Sequence, residues 1–510
     1  MRKRAAIYSF VLLVFAASEL LGRALGIRFA WETLGTLYQY LDPSILQHDL
    51  SRGLYYLHSQ PPLFNLGLGV VLKLFPESFP VAFSVLMGAS ALALLLAMAW
   101  LLRRLGVGDW VAAVVILLFA LSPNFLVYRH WLFYTLPVAL LLVGCGSALL
   151  LYCASGRRVP LASFALLAFV LMMTRSLFHP LWLIVVVLTL VPFLDRRKRR
   201  GLALASLAAL LLVNLWFLKN QLLVGSYNGS SWVGLSLAKR WPLSQNEVKE
   251  LKDSGVIPAY WQRRPFQEPR ELAVFGFFDE DRASIHPALD APYKANGEPN
   301  FNHRDYVEIS DALLEGNLRL IRRFPGRYLD RTATALLLFL QPGPNSVHFL
   351  VEYDFDRVHR YRDFLTRYLF LGGRVERPIR MLDPSPNLLL VVFPLLLGVG
   401  IWSLRRGPAE NRALHAFMLV TVLWVTAVAN LVEIGENDRM RWEIEPFLAF
   451  WVACLASNLS ALLTRRTGRG LPAIYGGAIM HAYEKNHGHA PRGVEGPGRA
   501  TRLRARCVSW

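Results

Sequence analysis

Runs of about twenty apolar residues alternate along this chain with short segments that hold nearly all of its charge. An apolar stretch of roughly eighteen residues or more can cross a bilayer core of about 30 Å as a helix. The pattern predicts spans near 5–24, 80–102, 109–127, 131–153, 160–174, 178–194, 202–218, 386–404, 412–433 and 443–463. The expected fold is an all-α polytopic membrane protein, a bundle of about ten transmembrane helices with loops and interfacial helices at its outer face. Helical spacing continues outside the spans. Ile309, Leu313, Leu314, Leu318 and Ile321 share one face of the stretch from Tyr306 to Ile321, predicting an amphipathic helix on the membrane surface or on the bundle. The apolar piece 333–341 is too brief to span and reads as re-entrant or interfacial.

This divides the chain into an N-terminal transmembrane module (1–218) with a first outer loop at 28–78, an outer-face region (219–328), and a C-terminal transmembrane module (329–464). Residues 465–510 complete it as a basic cytoplasmic tail whose Gly, Pro and Arg show no periodicity, as in disordered segments; His487 and His489 are incidental there.

Composition sharpens the class. Of 510 residues, 54% are hydrophobic and 18% charged, against about a quarter charged in soluble domains. The net charge of +19 sits largely at span ends, where basic residues set topology and attract anionic lipids; no nucleic-acid-binding motif accompanies it. Basic clusters at 2–4, 103–104, 157–158, 196–200, 405–406 and 465–466 mark the cytoplasmic side, which puts both termini there. The segments 28–78, 122–131, 174–180, 219–328 and 433–443 then lie outside. Seven arginines at 357, 360, 362, 367, 374, 377 and 380 strain that assignment, and the topology of 329–385 stays open. The N-terminus resembles a signal peptide, but its apolar run continues through Leu20-Leu21, so a retained helix is expected. Cys145, Cys153 and Cys454 fall in apolar runs and Cys507 in the tail, which is no disulfide framework and no metal cluster.

Candidate chemistry gathers in the outer segments, while the span interiors hold few ionisable groups. Ion-coupled transport usually places such groups near the midplane, so chemistry at one membrane face fits better. In the first loop, Asp42 precedes Pro43, the signature of a helix cap, and is as well explained by capping as by catalysis. Asp49, expected mid-helix, is either a general base or a solvated charge. His58 and Gln60 precede Pro61-Pro62 and either bind substrate or hydrogen-bond loop backbone. Between the last two spans, Glu436, Asn437, Arg439 and Arg441 lie in a charged stretch. Arginine holds phosphate through a planar fork, so Arg439 and Arg441 suit a lipid-linked phosphate; the plainer reading is a salt-bridged loop. Arg175, His179 and the pair Arg129-His130 line the same cavity or anchor helix ends.

The run Tyr55-Tyr56-Leu57-His58-Ser59-Gln60-Pro61-Pro62-Leu63-Phe64-Asn65 resembles the first-loop signature of GT-C glycosyltransferases, the multispan group that includes protein O-mannosyltransferases and aminoarabinose transferases. Lys219-Asn220 with Ser230-Ser231-Trp232 and Gly234, Asn300-Phe301-Asn302-His303, and the stretch from Gly435 to Arg441 with Glu445-Pro446 are similar to a bacterial branch of it. The resemblance implies a GT-C-like bundle in a bacterial cytoplasmic membrane, a polyprenyl-phosphate sugar donor, an acceptor hydroxyl, a first-loop aspartate as base (Asp42 or Asp49) and outer-face arginines on the phosphate. An adjacent Asp-Glu pair of the mannosyltransferase pattern is missing, which leaves base and sugar open. A leaving phosphomonoester needs no metal and no Asp-x-Asp cluster is present, so neither metal nor other cofactor is expected. The competing readings are a lipid-linked glycan transporter and a non-catalytic part of a polysaccharide assembly complex.

Overall fold

The computed structural model describes residues 2–262, 264–279, 283–344, 355–369 and 389–466. Residues up to Ser457 form one compact unit; a second begins at Asn458, where its described residues complete the helix Glu445–Arg466. Apart from the isolated bridges Ala30–Trp131 and Tyr293–Pro299, all regular structure among the described residues is helical.

Among the described residues, six helices are long and apolar enough to cross a membrane: Ala6–Ala24, Phe79–Arg104, Thr135–Ser155, Arg196–Val224, Ala409–Val432 and Glu445–Leu462. The chain is a multi-pass membrane protein. A seventh crossing is available if the pair Asp109–Ala120 and Pro123–Arg129 counts as one span bent by 62°. The bend has a local cause. Ser122 caps a new helix by accepting from the Phe125 N–H at 3.2 Å, and Pro123 has no N–H to continue the old one.

Three of the roughly ten expected spans coincide with shorter apolar helices among the described residues. Arg158–Met172 and Leu389–Ser403 are each fifteen residues, about 22 Å at 1.5 Å per residue. The third, from Pro180, passes into a 3₁₀ turn at Val191–Phe193. A further short apolar helix, Pro62–Leu74, lies in the first loop and starts at the Pro-Pro pair. On the helix Arg196–Val224, Leu204, Leu207, Leu211, Leu215, Leu218 and Leu222 are exposed at spacings of three and four, a stripe suited to lipid.

The region 219–328, expected at the outer face, has its own small core, including Trp232, Leu235, Trp241, Leu251, Ile309, Leu313 and Leu320. The predicted amphipathic helix is present as Asp305–Arg323, and Ile309, Leu313 and Leu320 on it belong to this core, while Leu318 is exposed. It approaches the helix Val233–Ala238 so closely that a Cβ on Gly234 would stand 1.8 Å from the Ser310 carbonyl oxygen. The piece 333–341 ends the helix Pro325–Phe339, which packs against Ala409–Val432 and Asn437–Trp442. Arg357, Arg360, Arg362 and Arg367 lie in the helix Phe355–Leu369. Arg374, Arg377, Arg380 and the tail with His487 and His489 lie outside the described residues.

Candidate functional site

Four stretches distant in sequence meet beside the bundle. The first loop enters through Ala30, whose N–H donates to the His130 carbonyl at 2.8 Å, and through Tyr40, whose hydroxyl donates to the Leu132 carbonyl at 2.8 Å. After Pro61-Pro62 the Leu63 N–H donates to the Met173 carbonyl at 2.9 Å, which brings the Pro-Pro turn beside Arg175. The fourth stretch is the short helix Asn437–Trp442, all six of whose residues are buried.

At the centre are two buried arginines and a buried glutamate. Arg175 Nε lies 2.9 Å from Glu443 Oε1, and the Arg175 guanidinium lies 4.8 Å from the Tyr134 ring centroid. Arg439 pairs with Glu436 and lies 4.7 Å from the centroid of Phe133, with Trp131 and Tyr134 at 6.0 and 5.8 Å, a geometry that favours a cation over an aromatic face. Burial pushes the Glu443 carboxyl up to about 7, although Arg175 and Arg439 pull it down. Burial opposes the charge on Arg439, yet Glu436, Tyr134 and Glu443 hold its pKa above the usual arginine value. Arg439 Nε and Nη1 and both Glu443 oxygens complete no hydrogen bond. Buried polar groups are seldom left so. Next to this cluster, Lys239 Nζ donates to Glu433 Oε1 at 3.0 Å and interacts electrostatically with Glu436 and Arg439.

The other candidates in this stretch have structural work. Arg441 donates to Glu445 at 3.1 and 2.8 Å and to the carbonyls of Phe339 and Gln341 at 2.8 and 2.6 Å. The Asn437 amide ties the carbonyls of Ala429 and Glu433 to the turn at Gly435. His179 caps the helix Pro180–Leu190 by accepting from the Leu181 N–H at 3.3 Å. Arg129 pairs with Glu19 at 2.9 Å, with His130 close by, an ionic group that the apolar pattern of the first span concealed.

In the first loop the two aspartates differ. Asp42 Oδ1 caps the helix Pro43–His48 through the Ser44 N–H at 2.8 Å, and Oδ2 accepts from the Ala295 N–H at 2.5 Å. Asp49 is not mid-helix. It sits at the break between Pro43–His48 and Leu50–Tyr55, with φ −132°, its N–H closing the first helix on the Ile45 carbonyl and its side chain making no capping bond. Its Oδ2 meets His286 Nε2 at 3.1 Å and Arg52 at 3.6 Å; Oδ1 has no partner among the described residues, and 39% of the side chain is exposed. His286 Nδ1 accepts from the Ala288 N–H at 3.1 Å, so the ring proton is on Nε2 and points at Asp49. Tyr56 stacks on that ring at 4.9 Å. Neither aspartate contacts Arg439. The carboxylates around Arg439 are Glu436 and Glu443, from its own end of the chain.

His58 is committed inside the protein. Its Nε2 donates to the Asn302 carbonyl at 2.7 Å, and its Nδ1 accepts from the Ser231 hydroxyl at 2.9 Å. Burial pushes its pKa down to about 3. The Asn302 side-chain oxygen also accepts from the N–H groups of His58 and Ser59 at 2.9 and 3.0 Å, while Ser230 donates to the Ser59 carbonyl at 2.6 Å. Trp232 donates to the Phe301 carbonyl at 3.1 Å and Lys219 to that of Leu57 at 2.6 Å. The motifs around 58, 220, 231 and 302 therefore stitch the first loop to the outer region. Gln60, half-buried, has no side-chain hydrogen bond among the described residues.

Close by, a cavity of about 420 Å³ is lined by Tyr38, Arg264, Phe266, Glu268, Glu271 and Glu298 among others. Lys239 lies 5.0 Å from the centroid of its Phe266 wall. Among the described residues, no three His, Cys, Asp or Glu side chains gather as ligands for a metal.

Sequence reasoning missed Tyr134, Lys239 and His286, and within the charged stretch it gave Glu443 no role of its own. The wholly apolar flanks of a stretch as charged as 433–445 were the available signal for Glu443. No protein-family model matches the chain, and no curated protein does. Among solved structures it is similar to the archaeal oligosaccharyltransferase AglB from Archaeoglobus fulgidus, in complex with an inhibitory peptide and a dolichol-phosphate, at 13% identity and a TM-score of 0.40. That likeness covers 94% of this chain and 52% of the other, so the chain spans about half the length of the structure it matches.

Proposed function

We propose that this chain is a membrane glycosyltransferase of GT-C type. In this reading it moves a sugar from a polyprenyl-phosphate donor, taken from the surrounding membrane lipids, to an acceptor hydroxyl. The reaction takes place at the outer face of a bacterial cytoplasmic membrane, with both chain termini in the cytoplasm. The observation that carries the reading is Arg439: a buried guanidinium on an aromatic wall, with idle donors, beside a second buried arginine. Donors of this kind hold a phosphate oxygen and stabilise the charge it gains as the sugar departs.

In this scheme Asp49 is the base. Its free Oδ1 takes the acceptor proton, and His286 steadies the other oxygen. The acceptor oxygen attacks the anomeric carbon, that carbon's bond to the phosphate oxygen breaks, and the lipid monophosphate leaves. The cavity behind Tyr38 admits the acceptor, its carboxylates and rings suiting a hydroxyl-rich ligand. Asp42 positions the loop and does no chemistry.

A transfer assay on the full chain in lipid, with a panel of polyprenyl-phosphate sugars, tests this. Wild type turns over one of them. Asp49→Asn loses roughly 10²-fold or more with its melting temperature kept, while Asp42→Asn mainly lowers the melting temperature. Turnover undiminished in both Asp49→Asn and Arg439→Ala would remove the chemistry.

A further inference from the structure

We propose that Glu443 is an internal stand-in for the donor phosphate: it occupies the pair Arg175–Arg439 when no phosphate is bound, and takes up a proton from solvent when one arrives. This rests on the reading of Arg439 as the phosphate anchor.

Geometry carries it. Glu443 is fully buried, lies 2.9 Å from Arg175, and is a carboxylate that both arginines act on. Its two oxygens are nevertheless out of hydrogen-bonding alignment, as are Nε and Nη1 of Arg439. The carboxylate balances the arginines' charge without satisfying their donors. A phosphate has the oxygens to do both. Because the arginines are buried, an incoming anion reaches them by displacing what they share.

Charge then dictates a proton. Arg439 already has Glu436 as partner. A phosphodiester added beside an ionised Glu443 would gather three anionic groups about two cations where water is excluded, which is costly at low dielectric. Protonating Glu443 removes the excess. The groups facing it or its partners leave it the one placed to titrate. They are Arg175 from the turn after Arg158–Met172, Arg439 and Glu436 from the short helix and its lead, Tyr134 ahead of Thr135–Ser155, Tyr128 from Pro123–Arg129, and Tyr40 from the first loop. Lys239 is held by Glu433.

The test is calorimetric binding of methyl farnesyl phosphate, a prenyl diester with one fixed charge, to the full chain in detergent. It is run in two buffers of different ionisation enthalpy. Wild type takes up close to one proton per diester bound at pH 8. Its affinity falls about fiftyfold from pH 7 to 9, as linkage to a group ionising near 7 requires. Glu443→Gln takes up none, and its affinity is flat with pH. Glu443→Asp keeps the uptake should the glutamine variant fail to fold. Dimethyl phosphate, lacking the chain, is the second arm: uptake with both ligands assigns recognition to the phosphate alone, and uptake with the prenyl ligand only assigns it to a lipid phosphate. Diester binding with no proton uptake overturns the stand-in and leaves the phosphate anchor standing. No diester binding at any pH overturns both.

Discussion

At His58 a neutral imidazole bridges a hydroxyl on one side and a carbonyl on the other, and its burial makes the tie sensitive to acid. The ring's pKa lies near 3 in the folded chain against 6.5 without such burial. Between those values the unfolded chain binds the extra proton, so stability is complete above 6.5 and is lost as pH falls. From pH 7 to 5 the loss amounts to about 2 kcal/mol. Thermal melts over that range should fall more steeply for wild type than for His58→Gln, which has no proton to gain; parallel curves would refute the tie. Asp42 and Asp49 show how residue roles separate in space. The Asp-Pro pair at 42–43 announced a cap, and a cap is there. Nothing near Asp49 announced its partner, because His286 is 237 residues away.

At the scale of the element, the helix Asn437–Trp442 divides its two arginines between two jobs. Arg441 fills its donors with carbonyls at the end of Pro325–Phe339 and with Glu445, so Arg441→Gln leaves buried acceptors and a carboxylate unpaired. Breaking a buried pair in this way costs about 3–5 kcal/mol. The expected outcome is a large drop in melting temperature and faster proteolysis near residue 340. Arg439→Gln, which gives up its pair with Glu436 but no bond to a backbone carbonyl, should melt closer to wild type; the reverse order would contradict the division. Both residues were legible as phosphate candidates in the sequence and indistinguishable there. What separates them is the backbone of residues 339–341, which no pattern along the chain brings alongside. The long spans were legible because periodicity and length agree over twenty residues. The shorter ones were less legible because an apolar run does not show where a proline or a capping serine divides it.

For the whole molecule, the stitching between the first loop and the outer region fixes both on one side of the membrane. The turns after Phe79–Arg104 and Thr135–Ser155 fall on the other, since each comes after a single long span. In a cysteine-less background, Gln47→Cys and Asn246→Cys should react with an impermeant maleimide from the same side of sealed vesicles. Arg158→Cys should react only from the opposite side. Labelling of Gln47→Cys and Asn246→Cys from different sides would break the fold described here.

The bond from the His58 N–H to Asn302 joins residues 244 positions apart. A ribosome adding about 5–20 residues per second needs roughly 12–50 s to make that interval. Throughout it the emerging loop has no Ser231 or Asn302 to grip, and its buried histidine is open to water. The loop that carries the proposed base therefore takes its final shape late in synthesis, after most of the spans have already entered the bilayer. A chain cut short before residue 302 would insert and still never tie the first loop to Asn302.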